Sequence, residues 1–140
     1  MSSYEFLVFS FTICNFMSTK LPRIALVGPC SSGKSTLAQV LVERGYEVRQ
    51  PAQEHSYVPD MWQKLTRPDV LIFLDVDVAA AALRRPTTYG GPERLAEQQT
   101  RLAHARTHCH FYLDTSTLTP EGVQEQVLAF LAARGRESQC

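Results

Sequence analysis

The chain has 140 residues, of which 44% are apolar and 20% charged. That suits one domain with a packed core and excludes disorder and low-complexity tails; it also excludes two-domain helicases and large ring ATPases. Fourteen Lys and Arg balance fourteen Asp and Glu, so no whole-molecule field gathers nucleic acid or an anionic membrane, and neither is expected as a partner.

The chain opens on an apolar run rich in Phe and β-branched residues, Tyr4 to Phe16. It is shorter than the roughly 20 residues of a membrane span. It lacks the basic start and small-residue cleavage site of a signal peptide. The chain reads as a complete domain from Met17. Residues 1–20 are therefore expected to be an apolar extension and residues 21–140 the working unit.

Arg23-Ile24-Ala25-Leu26-Val27 is a continuous apolar run that predicts a strand buried on both faces. A polar, Gly-containing loop follows to Gly33. Residues 34–44 then show helical spacing through Leu37, Val40 and Leu41, with Gly45 as the stop. Residues 46–49 predict a short strand closed by Pro51. Residues 52–68 read as irregular, with a short helix over 60–65. Val70 to Leu74 predicts a second fully buried strand, ending in Asp75-Val76-Asp77.

Residues 78–85 are Ala-rich and helical, and 86–92 form a loop. Residues 93–106 predict one polar amphipathic helix, and 110–113 a fourth strand. Thr119 is placed as an N-cap with Pro120 at the first helical position of a last helix reaching Gly135. This alternation implies right-handed crossovers and a parallel sheet.

Four cysteines, Cys14, Cys30, Cys109 and Cys140, form no Cys-x-x-Cys pair. Neither a zinc knuckle nor a redox dithiol is readable from them, and a reduced cytoplasmic protein is the expectation. His104, His108 and His110 are closely spaced, as metal ligands can be, but no open carboxylate partner is near them in sequence.

The chemistry lies in Gly28-Pro29-Cys30-Ser31-Ser32-Gly33-Lys34-Ser35-Thr36, which fills every fixed position of GxxxxGK[ST] between a buried strand and a helix. Gly28 and Gly33 let the backbone curl so that successive N–H groups face one concavity. The helix adds the positive end of its dipole. Lys34 is placed to reach β- and γ-phosphates, and the Ser35 hydroxyl to bind Mg²⁺.

On these residues the chain resembles the P-loop kinase group, the small nucleotide and nucleoside kinases such as thymidylate and adenylate kinases, over residues 21–134. Two further stretches, residues 68–76 and 111–116, are similar to the strands those kinases place before their lid and beside the adenine. The resemblance implies an α/β, three-layer P-loop NTPase fold: a small, mainly parallel sheet of about four strands flanked by helices. It implies ATP and Mg²⁺ as cofactors and an unidentified small-molecule acceptor. It places Arg84 and Arg85 where lid arginines clamp the transferring phosphoryl group, and Thr115 and Ser116 near the purine. Planar cationic forks suit the charge that phosphoryl transfer builds on oxygen. The alternatives are a solvated helix end for the arginines and a turn with a helix cap for Thr115 and Ser116.

The chain departs from that group between residues 51 and 68, where no Asp-Arg and no extra strand occur. Glu54 is the nearest substitute, if its strand lies beside the loop strand, because ligands gather at the carboxyl edge of open parallel sheets. Asp75 competes with it as a Walker-B-type carboxylate. Asp77 reads as a helix cap, and Arg94 and Arg101 as surface residues. Tyr57, Met61 and Trp62 read either as an acceptor face or as packing under a loop.

Other P-loop classes lack support. No Asn-Lys-x-Asp guanine reader exists, since the only Asn is Asn15, and no Leu-Ser-Gly-Gly-Gln occurs. A small-molecule kinase is the leading expectation. An ATP-binding module that hydrolyses or signals without transfer is the alternative.

Overall fold

The structure, a computed structural model, describes residues 20–88 and 90–138. The expected extension, residues 1–20, lies outside the described residues except for Lys20, and Cys14 lies outside them with it.

Among the described residues, four strands form an all-parallel sheet: β1 (Arg23–Val27), β2 (Glu47–Arg49), β3 (Val70–Asp75) and β4 (Phe111–Asp114), in the order β2-β1-β3-β4. The helices are α1 (Lys34–Glu43), α2 (Met61–Thr66), α3 (Val78–Arg84), α4 (Pro92–Arg101), α5 (Ala103–His108) and α6 (Pro120–Ser138). None of these is long and apolar enough to cross a membrane.

The continuous apolar runs behave as their patterning dictates. All six residues of β3 are buried, as are the last four of β1. Alternate residues serve opposite faces. Ile24, Leu26, Ile72 and Leu74 pack on Leu37 and Leu41 of α1 and on Val123, Val127 and Leu131 of α6. Ala25, Val27, Leu71 and Phe73 face the other way, onto Trp62, Leu102 and Ala105. Each such large side chain contributes about 1.5–3 kcal/mol by leaving water. Because β1 and β3 are central and paired from Ile24↔Val70 to Val27↔Phe73, their carboxyl ends are held rigidly side by side, and the loops that follow inherit that rigidity.

Two helix caps follow the expected chemistry. The Thr119 hydroxyl accepts from the Gly122 N–H (3.0 Å), and Asp77 accepts from the Ala80 N–H (2.7 Å).

The single helix expected over 93–106 is two helices, α4 and α5, broken at Leu102. Leu102 is fully buried with Ala105 in the second core, whereas Gln98, one turn earlier, is buried against the Gly28–Thr36 loop. The bend lets one segment serve both sites. The irregular stretch after β2 also gains a 3₁₀ turn over Gln53–His55.

Candidate functional site

The loop between β1 and α1 has a conformation that only its particular residues allow. Gly28 has φ +153°, and a Cβ there would collide with the carbonyl oxygen of Leu74 on the neighbouring strand. Gly33 has φ +98° and Ser31, unusually for a residue with a side chain, +74°. These left-handed residues curl the backbone around the N-terminus of α1, a geometry that suits an anion.

Lys34 folds back over this loop. Its Nζ donates to the carbonyl oxygens of Gly28 and, at 3.3 Å, Pro29. It also donates to Glu54 Oε2 at 2.7 Å, with both side chains largely buried. The parallel pairing of β1 with β2 is what brings Glu54 here, as the carboxyl-edge expectation required. The other oxygen, Glu54 Oε1, is buried and has no hydrogen-bond partner among the described residues. The Ser35 hydroxyl, on the same side, donates to Gln50 Oε1 at 3.4 Å.

Glu54 is held by residues that sequence patterning missed. Gln53, fully buried, donates to the carbonyls of Val58 (2.8 Å) and Arg101 (3.2 Å) and accepts from the Trp62 N–H (2.8 Å). Arg101, expected on the surface, donates to the Glu54 carbonyl at 3.3 Å and lies over the Tyr57 ring at 4.6 Å. Gln98 accepts from the Cys30 N–H at 3.0 Å and donates to Cys30 Sγ at 3.4 Å. An amide in an amphipathic helix carries no mark of burial. The one available signal was the turn spacing of Gln98 from Leu95 and Leu102, both buried.

Two cavities flank the loop. One, of about 250 Å³, is lined by Pro29 to Thr36, Glu54 and Arg85. The other, of about 380 Å³, lies between Ser31, Ser32, Gly33, Thr36 and Leu37 on one side and Arg84, Arg85, Thr115, Leu118, Pro120 and Val123 on the other. They share the loop residues and Arg85. The buried Ser31 and Ser32 hydroxyls have no hydrogen-bond partner among the described residues.

The two arginines differ. Arg84 donates to the carbonyl oxygen of Ser31 (2.8 Å) and to both the hydroxyl (3.0 Å) and the carbonyl of Thr115. It therefore fastens the loop to the turn after β4. The Arg85 side chain has no hydrogen bond or ion pair among the described residues and faces both cavities. Thr115 is buried, its hydroxyl donating toward the carbonyls of Ser32 and Asp75, each at 2.9 Å. Ser116, expected with it, does not line the cavity. Its hydroxyl donates to Asp114 (2.5 Å) and accepts from the Asp77 N–H (2.8 Å), which makes it part of a turn. The Ser116 contacts hold the Asp114 carboxyl below the usual carboxylate range.

Asp75 is also elsewhere. It lines neither loop cavity. Its Oδ1 accepts from Gln99 (2.6 Å) and the Val76 N–H (2.9 Å), while Oδ2 accepts from the Tyr112 hydroxyl (2.5 Å), with Arg106 at 3.7 Å. Burial, and then this carboxylate, push the Tyr112 phenol up to about 12. Trp62 is core, and its indole donates to His104 Nδ1 at 3.1 Å. His110 Nδ1 accepts from the Leu71 N–H at 2.9 Å, so the three histidines do not converge.

No family model and no curated protein matches this chain.

Proposed function

We propose that the chain is a P-loop NTPase-fold kinase, transferring the γ-phosphoryl group of ATP to a nucleotide, nucleoside or similar small acceptor. The observation that carries this reading is the meeting of Glu54 with Lys34 at the start of α1. A half-satisfied buried carboxylate, a primary amine and a hydroxyl stand around a loop curled for an anion.

In this reading the loop N–H groups hold the α- and β-phosphates, with the base and sugar in the larger, more apolar cavity. Lys34 exchanges the Gly28 and Pro29 carbonyls for phosphate oxygens. Arg85 pairs with the transferring group, since its fork is otherwise unpartnered. Arg84 keeps Ser31 in place, which makes it a positioning residue.

The donor set also suits Mg²⁺, a hard cation that takes oxygen ligands. Ser35 Oγ, Gln50 Oε1 and the unpartnered Glu54 oxygen are the residues that would hold it. When bound, Mg²⁺ supplies charge neutralisation at the β- and γ-oxygens.

The acceptor oxygen forms a bond to the γ-phosphorus as the bond to the β–γ bridging oxygen breaks, and ADP leaves. A hydroxyl acceptor gives its proton to Glu54 Oε2, freed when Lys34 turns to the phosphates, while Oε1 stays with the metal; a phosphate acceptor has none to give. The chain's main contribution is position and field.

The test is ADP formation on adding a panel of nucleosides, nucleotides and small alcohols to protein with ATP and Mg²⁺. At least one acceptor is expected to stimulate ADP release and to gain phosphoryl mass. ATP binding with no acceptor stimulation across the panel would replace transfer with the non-transferring module. No ATP binding at all would overturn both.

A further inference from the structure

Cys30, Glu54 and His55 come from two separate loops, yet their Sγ, carboxylate and imidazole ligand atoms all lie within 4.8 Å of one another. Cys30 Sγ and His55 Nε2 are 3.7 Å apart. Sulfur and nitrogen ligands on a tetrahedral zinc, at about 2.3 and 2.0–2.1 Å from the metal, span about 3.6 Å. The spacing is thus already that of two ligands on one ion.

Two further observations point to a ligand. Glu54 is only 6% exposed, and its Oε1 has no hydrogen-bond partner among the described residues. A buried carboxylate oxygen left open is costly unless something completes it. Cys30, in turn, is held by Gln98, itself 2% exposed, through both its N–H and its sulfur. Outer contacts of this kind orient metal ligands.

We propose that Cys30, Glu54 and His55 form a site for a zinc-class divalent cation at the mouth of the Gly28–Thr36 loop. A thiolate and an imidazole select a softer ion than Mg²⁺, so the two metals differ in ligands although they share Glu54. Binding forms a metal–sulfur bond and releases the Cys30 thiol proton to solvent. Three protein ligands leave a fourth position for water. The filled site takes Glu54 out of the reaction and inhibits turnover. That last consequence rests on the transferase reading; the metal site itself does not.

Cobalt is the probe, because a thiolate on Co²⁺ gives a near-ultraviolet charge-transfer band and zinc is colourless. Freshly reduced full chain, without nucleotide, is titrated with Co²⁺. One equivalent is expected to raise the band, and zinc to bleach it. Cys30→Ser is expected to abolish it and Cys109→Ser to leave it intact.

His55→Ala, at an exposed position that keeps the fold, is expected to weaken the metal more than tenfold. Loss of an outer contact alone costs about 10–100-fold. No band in the wild type, or a band that survives in Cys30→Ser, would overturn the site.

With an active acceptor and saturating ATP, zinc is expected to inhibit the wild type and to spare His55→Ala. Equal inhibition of both would overturn the regulatory part. A chain that shows the cobalt band but never uses ATP would refute the transferase reading and leave the metal site standing.

Discussion

Two acidic side chains stand at the carboxyl edge of the sheet, one on each side of its centre, and they live differently. Asp75, at the end of β3, has both oxygens engaged by Gln99, Tyr112, Arg106 and its neighbouring N–H. Glu54, beyond β2, has one oxygen on Lys34 and one without a hydrogen-bond partner among the described residues. Both are buried. A satisfied carboxylate stabilises the fold around it. A half-satisfied one, beside an amine and a curled loop, retains capacity for a ligand or a proton.

The largest expected effect separates the two directly. Glu54→Gln keeps an oxygen to accept from Lys34 but removes charge and basicity. Acceptor-dependent ADP formation with a hydroxyl acceptor is expected to fall by about 10²–10⁴-fold. Asp75→Asn, measured per folded molecule in the same assay, stays within about twofold, because Asp75 lines neither loop cavity. A larger loss in the Asp75 variant than in the Glu54 variant would reverse their roles.

Stability is expected to rank them the other way. An Asn at position 75 must present its amide to one of the donors now served by a carboxylate oxygen. Its unfolding free energy is expected to drop by about 1–3 kcal/mol, read from the shift in urea midpoint at constant slope. An unchanged midpoint would mean that the Asp75 contacts hold nothing in place.

How much of this contrast was legible in sequence follows from its physics. A strand buried on both faces has no polar positions, so β1 and β3 declare themselves. The Gly28–Thr36 loop does too, because a backbone with left-handed turns at Gly28 and Gly33 leaves few residue choices. Glu54 was reachable once β2 was set beside β1.

Asp75 was not decidable. An apolar strand ending in Asp reads the same whether the carboxylate holds a metal or a phenol. The deciding group, Tyr112, lies 37 residues away. Nor could patterning separate Arg84 from Arg85, since adjacent residues share composition and only the fold says which meets Ser31. Gln53 was hidden as well, because full burial of an amide depends on three partners distant in sequence or local only through a turn.

The arginines give a finer version of the same contrast, one engaged and one open. Arg84→Ala frees the Ser31 carbonyl and the Thr115 contacts. It is expected to lower stability by about 1–3 kcal/mol and to raise the Michaelis constant for ATP. Arg85→Ala is expected to leave stability within about 0.5 kcal/mol, as for an exposed side chain without partners, and to lower the turnover number. Thermal unfolding and steady-state kinetics on the two variants separate these outcomes. Matching effects would erase the distinction between positioning and phosphate contact.

The smallest effect tests the closed side of the comparison alone. Burial and the Asp75 contact hold the Tyr112 phenol at about 12 in the folded chain, against about 10 in an unfolded one. Below about pH 10 both states keep the proton, and the Tyr112–Asp75 bond makes its full contribution. Between about 10 and 12 the unfolded chain releases the proton while the folded chain retains it. Rising pH therefore favours unfolding, and the contribution is lost through that window. Tyr112→Phe has no such proton. The stability difference between wild type and Tyr112→Phe, from denaturant titrations at successive pH values, should hold constant up to about pH 10 and shrink above it. A difference that stays constant to about pH 12 would mean that the phenol titrates alike in both states, and that the Asp75 cluster is looser than its distances imply.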